Sequence, residues 1–293
     1  MPADGGSEEP RLRVRKTYKL AIGGAFPRSE SGRSYPVEDA SGALLAHAAQ
    51  ASRKDVRDAV VAARKAFPGW CAATPYNRGQ VLYRVAELLD GRREQFASEI
   101  TAAEGVPGDE ALQSVDESID RVVWYAGWAD KFAQVAGSAN PVAGPYFNFS
   151  VPEPTGVVAI LAPQESSLLG FVGVLAPVLC TGNTAVIVAS QRRPLPAVSL
   201  SEVLATSDLP GGVANVLTGY TNELAPWLAS HRDVNAIDLT GVAAADRADL
   251  QRAAADNVKR VFVPAGEDWA AEPGLERLTA FVETKTVWHP LGV

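Results

Sequence analysis

Cysteine, methionine and histidine are scarce in this chain of 293 residues, which has two, one and three of them respectively. With only Cys71 and Cys180, the chain has no disulfide framework and fits a reducing cytosol, so we expect a cytoplasmic protein. No histidine lies near either cysteine in sequence, and a cysteine–histidine dyad is neither excluded nor located. We expect both cysteines to be structural and expect no metal site.

The chain also lacks the features of nucleic-acid-binding and membrane proteins. Its formal net charge is −7 and its pI is near 5.1, whereas nucleic-acid binding calls for a basic surface. No apolar run reaches the length of a membrane span. The first residues include Asp4, Glu8 and Glu9 without an apolar stretch, which argues against a signal peptide. We predict a globular protein that binds neither nucleic acid nor membranes.

Residues 1–16 are predicted to form a flexible N-terminal arm, because residues 1–10 are polar and include Gly5 and Gly6. Residues 11–16 alternate basic and apolar side chains. This alternation fits an edge strand or an arm that grips a partner, but the favoured interpretation is a solvated basic leader, because short charge runs usually lie on the surface.

Apolar spacing predicts a helical part over residues 17–139. Ser52 and Asp55 resemble a capping box, and the apolar positions that follow predict an amphipathic helix over residues 52–67. Two longer helices should follow. The first is expected to place Val81, Leu82, Val85, Leu88, Leu89 and Phe96 on one face, and the second, over about 109–135, to carry Ile119, Val122, Val123 and Ala126.

The pattern changes after residue 140. Short β-branched runs at 157–161, 185–188, 213–217, 234–239 and 258–263 alternate with helical segments. Strands separated by helices favour parallel pairing with right-handed crossovers, so residues 154–266 are predicted to form an α/β doubly wound, Rossmann-like parallel sheet. Residues 140–153 should form a hairpin, residues 267–280 a linker and residues 281–293 a further strand.

Several motifs, in their order and spacing, resemble the coenzyme-binding half of the NAD(P)-dependent aldehyde dehydrogenases. The resemblance covers most of residues 17–266 and is carried by these segments: Ile22-Gly23-Gly24, Phe67-Pro68-Gly69-Trp70, Tyr125-Ala126-Gly127-Trp128-Ala129, Gly156-Val157-Val158 through Pro163, Gly182-Asn183-Thr184, Leu209-Pro210-Gly211-Gly212, Leu239-Thr240-Gly241 and Asn257-Val258-Lys259-Arg260-Val261.

The resemblance implies that a catalytic domain is missing. A family member would continue after Gly266 into the domain with the nucleophilic cysteine, whereas here a short connection leads to a segment similar to the family's C-terminal strand. Glu165 stands where the family has the oxyanion asparagine, and Pro264 stands where it has the general base. We therefore predict no catalytic residues.

The resemblance also implies weakened coenzyme contacts. Val188 and Gln191 replace the lysine and glutamate that contact the adenosine ribose, and Val242 replaces the serine that meets the pyrophosphate. No Gly-x-Gly-x-x-Gly run is present instead. The expected vestigial coenzyme site is Pro163, Gly182, Gly219 and Gly241, with no or weak NAD(P) binding.

In the family, the C-terminal strand and the hairpin form a protruding sheet shared between subunits. We therefore expect these interface residues: Phe147, Phe149, Val151, Thr284, Thr286 and Trp288. The favoured interpretation is a non-catalytic subunit that forms a homo-oligomer, or a hetero-oligomer with an active aldehyde dehydrogenase. A dinucleotide-binding sensor and a residual aldehyde oxidoreductase remain alternatives.

Overall fold

The structure, a computed structural model, describes residues 15–292; residues 1–14 of the predicted arm lie outside them. The chain first forms a small sheet of β1 (Thr17–Tyr18), β2 (Ser34–Glu38) and β3 (Leu44–Ala49), in the order β1-β3-β2. Sequence patterning did not predict this sheet, because β3 contains three alanines and no β-branched residue. Part of the segment expected to be helical is therefore β-structure.

Five helices follow: α1 (Arg53–Ala72), α2 (Pro75–Asp90), α3 (Arg93–Glu104), α4 (Gly108–Trp128) and α5 (Phe132–Ala136). The predicted start of α1 is confirmed, because Ser52 Oγ accepts from the Asp55 N–H and the Asp55 carboxylate accepts from the Ser52 N–H. Two predictions were wrong. Phe96 belongs to α3 rather than to the helix of Val81, because the chain breaks at Gly91, and Val123 is 37 % exposed.

The second half of the chain contains β4 (Ser138–Asn140), β5 (Tyr146–Pro154), β6 (Val157–Leu161), α6 (Leu169–Cys180), β7 (Thr184–Val188), α7 (Leu195–Thr206), β8 (Ala214–Leu217), α8 (Thr221–Ser230), β9 (Ala236–Asp238), α9 (Ala244–Ala255), β10 (Arg260–Phe262), α10 (Glu276–Ala280) and β11 (Val282–Pro290). All five predicted strands of the central sheet are present, and their bounds agree with the prediction within two residues at each end.

The central sheet is parallel throughout, with strand order β10-β9-β6-β7-β8, which confirms the doubly wound prediction. Alternate residues of β6 enter opposite layers, as the pleat requires. Val158 and Ile160 pack with α2, α4 and α6, whereas Val157, Ala159 and Leu161 pack with α1, α8 and α9. Among residues 15–292, no helix combines the length and apolar character that a membrane span requires.

A third sheet, in the order β11-β5-β4, is formed by the two segments predicted to associate and by β4. Strands β11 and β5 are antiparallel along nine residue pairs, from Val282 opposite Pro154 to Pro290 opposite Tyr146. The short β4 pairs only with residues 148–150 of β5. The sheet projects two edges, of which β11 is by far the longer.

Candidate functional site at the carboxyl ends of the central strands

Doubly wound sheets bind ligands where the strand order reverses, outside the carboxyl ends of the strands. Here the chain passes from β6 to β7 and β8 on one side and then to β9 and β10 on the other, so the reversal lies between β6 and β9. Pro163 follows β6 and Gly241 follows β9, and the Gly241 N–H donates to the Leu161 carbonyl at 2.7 Å. Two of the four predicted coenzyme-binding residues therefore lie at this switch point.

Packing explains the glycine at this position. A Cβ on Gly241 would lie 1.8 Å from the Ala162 carbonyl oxygen, so no larger residue fits between the two strand ends. The next residue, Val242, is 7 % exposed and belongs to the core layer of α1, α8 and α9. Valine offers no hydroxyl group to a ligand at this position.

The other two predicted residues lie apart. Gly219 follows β8 at the same edge of the sheet and approaches the Ala51 backbone, with 3.3 Å from a built Cβ to the Ala51 nitrogen. Gly182 precedes β7 and therefore lies at the amino end of the sheet, where its φ of +89° serves the turn after α6. The structure corrects the grouping of Gly182 with the other three, because the length of β7 separates them.

The carboxyl ends of β6 and β7 are joined by one side chain. Gln164 Oε1 accepts from the Gln191 N–H at 2.9 Å, and Gln164 Nε2 donates to the Ala162 carbonyl at 3.0 Å. Ser190 Oγ also donates to the Gln164 carbonyl at 2.9 Å. Val188, at one of the ribose positions implied by the resemblance, is fully buried in β7. These polar groups therefore satisfy one another across the crevice.

Helix α9 begins beside the switch point, where a pyrophosphate would meet a helix N-terminus. Its N-cap residue, Ala243, makes no side-chain capping hydrogen bond. Arg247 Nε donates to the Val242 carbonyl at 3.0 Å, and Asp246 brings a negative charge into the first turn. The helix dipole favours an anion at this end, and the Asp246 carboxylate already supplies one.

On the α6 face of the same edge, a buried arginine from the predicted linker closes the ends of β9 and β10. Arg277 binds Asp238 at 2.9 Å and also contacts Thr240 and Glu267. The Asp238 side chain is inaccessible and the Arg277 side chain is 10 % exposed. Burial alone would lower the pKa of Arg277, but the two carboxylates outweigh that effect and raise it.

Three further contacts hold the linker. The guanidinium of Arg277 lies between the rings of Phe262 and Trp269, 4.8 and 5.2 Å from their centroids. A Cβ on Gly173 of α6 would lie 2.6 Å from the Trp269 ring, so the indole occupies the space that a side chain at Gly173 would take. Arg121 of α4 donates to the Trp269 carbonyl at 2.6 Å. Residues 267–280, which we call the docked segment, therefore cover this end of the sheet.

Groups suited to aldehyde chemistry are not brought together at this edge. Glu165 is 76 % exposed in its side chain and pairs with Arg193 at 3.0 Å. Cys180 is 1 % exposed in the core, its thiol donates to the Tyr125 carbonyl at 3.2 Å, and burial raises its pKa to about 12. Cys71 lies in the last turn of α1. No group of metal-ligating side chains occurs within residues 15–292.

Sequence reasoning missed the docked segment, which it treated as a simple linker. Two weak signals were available: a tryptophan and an arginine in a segment that also contains proline and glycine, and the glycine at position 173 in an entirely buried helix. Neither identifies its partner, because Trp269 and Gly173 are far apart in the chain.

The six predicted interface residues lie on both faces of the third sheet. Phe147, Phe149 and Val151 share one face with Val287, because residues directly opposite in an antiparallel pair point to the same side. Thr284, Thr286 and Trp288 lie on the other face, where Thr286 Oγ1 and Ser150 Oγ are 2.9 Å apart. Phe147 is 50 % exposed and Trp288 is 58 % exposed.

Comparison with known proteins agrees with this architecture. The sequence profile described as "Aldehyde dehydrogenase family" matches residues 26–267. The aldehyde dehydrogenase family 2 member B4, a mitochondrial protein of Arabidopsis thaliana, is 34 % identical over 261 residues, which are 88 % of this chain and 48 % of the plant protein. This chain spans about half the length of the curated relatives it matches.

Solved structures match in the same way. HpcC from Thermus thermophilus superposes with a TM-score of 0.80 and 29 % identity, covering 84 % of this chain and 47 % of that one. An NAD+ complex of an aldehyde dehydrogenase from Bacillus cereus gives a TM-score of 0.79 and 26 % identity, covering 84 % and 50 %. From its sequence match and its α/β fold, the chain belongs to the aldehyde dehydrogenase family.

Proposed function

We propose that this protein is a non-catalytic aldehyde dehydrogenase-like subunit, with a structural or regulatory role in a complex with an active NAD-dependent aldehyde dehydrogenase. The observation that carries the proposal is the docked segment. It joins β10 directly to β11 within the chain, and it fills the α6 face of the switch point with Trp269 and Arg277. The chain's own residues therefore cover this side of the switch point, which supports a non-catalytic role.

The chemistry supports the same conclusion. Aldehyde oxidation through a thiohemiacetal needs a thiolate, hydrogen-bond donors for the oxyanion and a base for the deacylating water. Glu165 offers a carboxylate at the donor position, Pro264 has no titratable side chain at the base position, and the Cys180 thiol is held protonated in the core. Removing one oxyanion donor alone typically lowers kcat by about 10²–10³.

We further propose that coenzyme binds weakly or not at all. The residues at the crevice do not fit a dinucleotide: Val188 is buried, Gln191 is bonded through its backbone to Gln164, and Val242 packs in the core. Each lost neutral hydrogen bond costs roughly 0.5–1.5 kcal/mol. The NAD+ described in the Bacillus cereus complex belongs to a protein of which this chain covers 50 %.

The role of a subunit follows from the third sheet. Phe147 and Phe149 contact each other with ring centroids 5.4 Å apart, and Val151 and Val287 lie beside them. Phe147 is 50 % exposed, and the other three side chains are partly exposed. An apolar face of this kind, on a projecting sheet, is typical of a protein contact. A full-length relative or a second copy of this chain would cover it.

The test is co-expression with a full-length aldehyde dehydrogenase of the same organism. We expect a stable complex, and a changed specific activity or melting temperature of the dehydrogenase. The matched variants are Phe149→Asp, which places a charge on the apolar face, and Glu110→Gln, a surface change on α4. The proposal fails if purified chain alone oxidises short aliphatic or aromatic aldehydes with NAD or NADP, or if no dehydrogenase is bound or altered.

A further inference from the structure

We propose that a cationic cleft between the start of α1 and the second half of α8 binds a small phosphate monoester with an aromatic or apolar body. The cleft has a volume of about 510 Å³, within the range of about 300–1,000 Å³ that is usual for small-ligand pockets. The lining side chains that matter for binding are Glu30, Arg53, Lys54, Arg57, Trp227 and His231. None of them belongs to the candidate site at the strand ends, so this inference goes beyond the proposed function.

Arg53 has hydrogen-bond donors available for a ligand. Its side chain lies over the Trp227 indole, with 4.1 Å from Cζ to the ring centroid, and the residue is exposed. Among residues 15–292, the ion pairs of this region use Lys54 and Arg57, whereas Arg53 forms no ion pair and donates no hydrogen bond. A guanidinium has five N–H donors in a planar fork that matches phosphate oxygens. Because the indole already supports this fork, Arg53 loses less freedom when an anion binds.

Two further cations lie beside Arg53 in the first turns of α1. Lys54 Nζ is 3.8 Å from the nearest oxygens of Glu30 and Asp58, which is too far for a hydrogen bond, and Arg57 pairs with the adjacent Asp58 at 3.1 Å. Each of these side chains is about half exposed, and exposed ion pairs are weak. An anion that enters the cleft therefore competes readily with the carboxylates for both cations.

The charge of the lining selects a dianion. Three cations, Arg53, Lys54 and Arg57, and one carboxylate, Glu30, leave a net charge of +2 on the lining residues. Burial lowers the pKa of His231, so its imidazole is neutral at pH 7.5 and adds no charge. The chain as a whole has a formal net charge of −7, so this cleft is a local site of opposite sign. A phosphate monoester, with about −1.5 to −2 charges at pH 7 and three acceptor oxygens, matches it.

The cleft combines this side-chain charge with an apolar surface. The end of α1 is not the source of the charge, because Ser52 and Asp55 already cap that helix. Trp227 supplies the apolar surface, since it lines the cleft and is 40 % exposed. An aromatic or apolar group attached to the phosphate would cover part of the indole that now contacts water. The ligand class is therefore a phosphate monoester with such a group rather than a bare anion.

Calorimetric titration of the intact chain with phenyl phosphate, inorganic phosphate and phenol tests the ligand class. The titrations are made at low ionic strength, because salt screens exposed charges. We expect saturable binding of phenyl phosphate with one site per chain, weaker binding of inorganic phosphate and no binding of phenol, because the dianion and the ring both contribute. Fluorescence gives a second readout: phenyl phosphate should change the tryptophan emission of the intact chain, and this change should be smaller in Trp227→Phe.

Charge variants test the site. Arg53→Gln should weaken phenyl phosphate binding about 10- to 100-fold, because it removes charged donors to the phosphate. Arg252→Gln is the matched control: it removes the same charge from an exposed arginine outside the cleft and should leave the affinity unchanged. Two variants should tighten binding severalfold. Glu30→Gln removes the carboxylate of the lining, and Asp58→Asn releases the two cations with which Asp58 pairs.

Three results would overturn the inference: no saturable binding of phenyl phosphate, equal losses of affinity in Arg53→Gln and Arg252→Gln, which indicate an adventitious ion only, or inorganic phosphate that binds as tightly as phenyl phosphate. If phenyl phosphate does not bind but Arg53→Gln abolishes binding to a co-expressed dehydrogenase, the cleft serves the partner protein. The phosphate site is then wrong, whereas the proposed subunit role survives. Specific binding of phenyl phosphate by a chain that captures no dehydrogenase would support the site and contradict the subunit role.

Discussion

Replacing Arg277 by methionine should destabilise the protein strongly, because the change leaves a carboxylate buried without its cation. The Asp238 side chain is fully inaccessible, and after the substitution only the backbone and hydroxyl of Thr240 would donate to it. Removing one partner of a buried ion pair typically costs about 3–5 kcal/mol. Arg277 also packs against Phe262 and Trp269, and methionine replaces only part of that contact.

Urea unfolding followed by circular dichroism measures the loss, with the free energy extrapolated linearly to water. Arg252→Met is the matched control: Arg252 also pairs with an aspartate, but its side chain is 75 % exposed, and such surface pairs contribute about 0–1 kcal/mol. The double variant Arg277→Met/Asp238→Asn removes the stranded charge and should recover part of the loss. If Arg277→Met and Arg252→Met lose equal stability, the docked segment is not held as described.

Three further predictions concern the docked segment, the two cysteines and coenzyme binding. Trp269→Ala should lower the free energy of unfolding by up to about 3–5 kcal/mol, since the indole fills the space over Gly173, and urea unfolding checks it. At pH 8 a thiol reagent should label Cys71 but not Cys180, because burial raises the pKa of the Cys180 thiol to about 12. Mass spectrometry of the native protein reads the labelling. Labelling of both cysteines would contradict the core position of Cys180. Calorimetric titration with NAD or NADP should show no binding or weak binding, and a micromolar dissociation constant would favour a dinucleotide sensor instead.

The packing positions could be predicted because their signals are local. Helix α1 is specified by Ser52, by Asp55 three residues later and by the apolar spacing that follows, all within a few turns. The β-branched runs of β6 and β7 predict buried parallel strands in the same way. Where local signals were weak, as in the alanine-rich β3, the prediction failed.

The candidate site could be judged only in part. The substitutions at Glu165, Val188, Val242 and Pro264 are visible in the sequence, and by themselves they indicate lost chemistry. Whether the crevice stays open is a different question. Its answer depends on where Gln164 directs its side-chain amide, and two hydrogen bonds of that amide, to Ala162 and Gln191, settle the direction.

By itself, then, the sequence determined the order of helices and strands, the family and the loss of family side chains, because each depends on residues close together in the chain. Tertiary structure decided the docking of residues 267–280, the separation of Gly182 from the other predicted site residues, and the division of the predicted interface between two faces of one sheet. Each of these depends on segments that meet only after folding, such as Trp269 with Gly173 and Arg277 with Asp238. Neither partner in these pairs carries a local signal of the other.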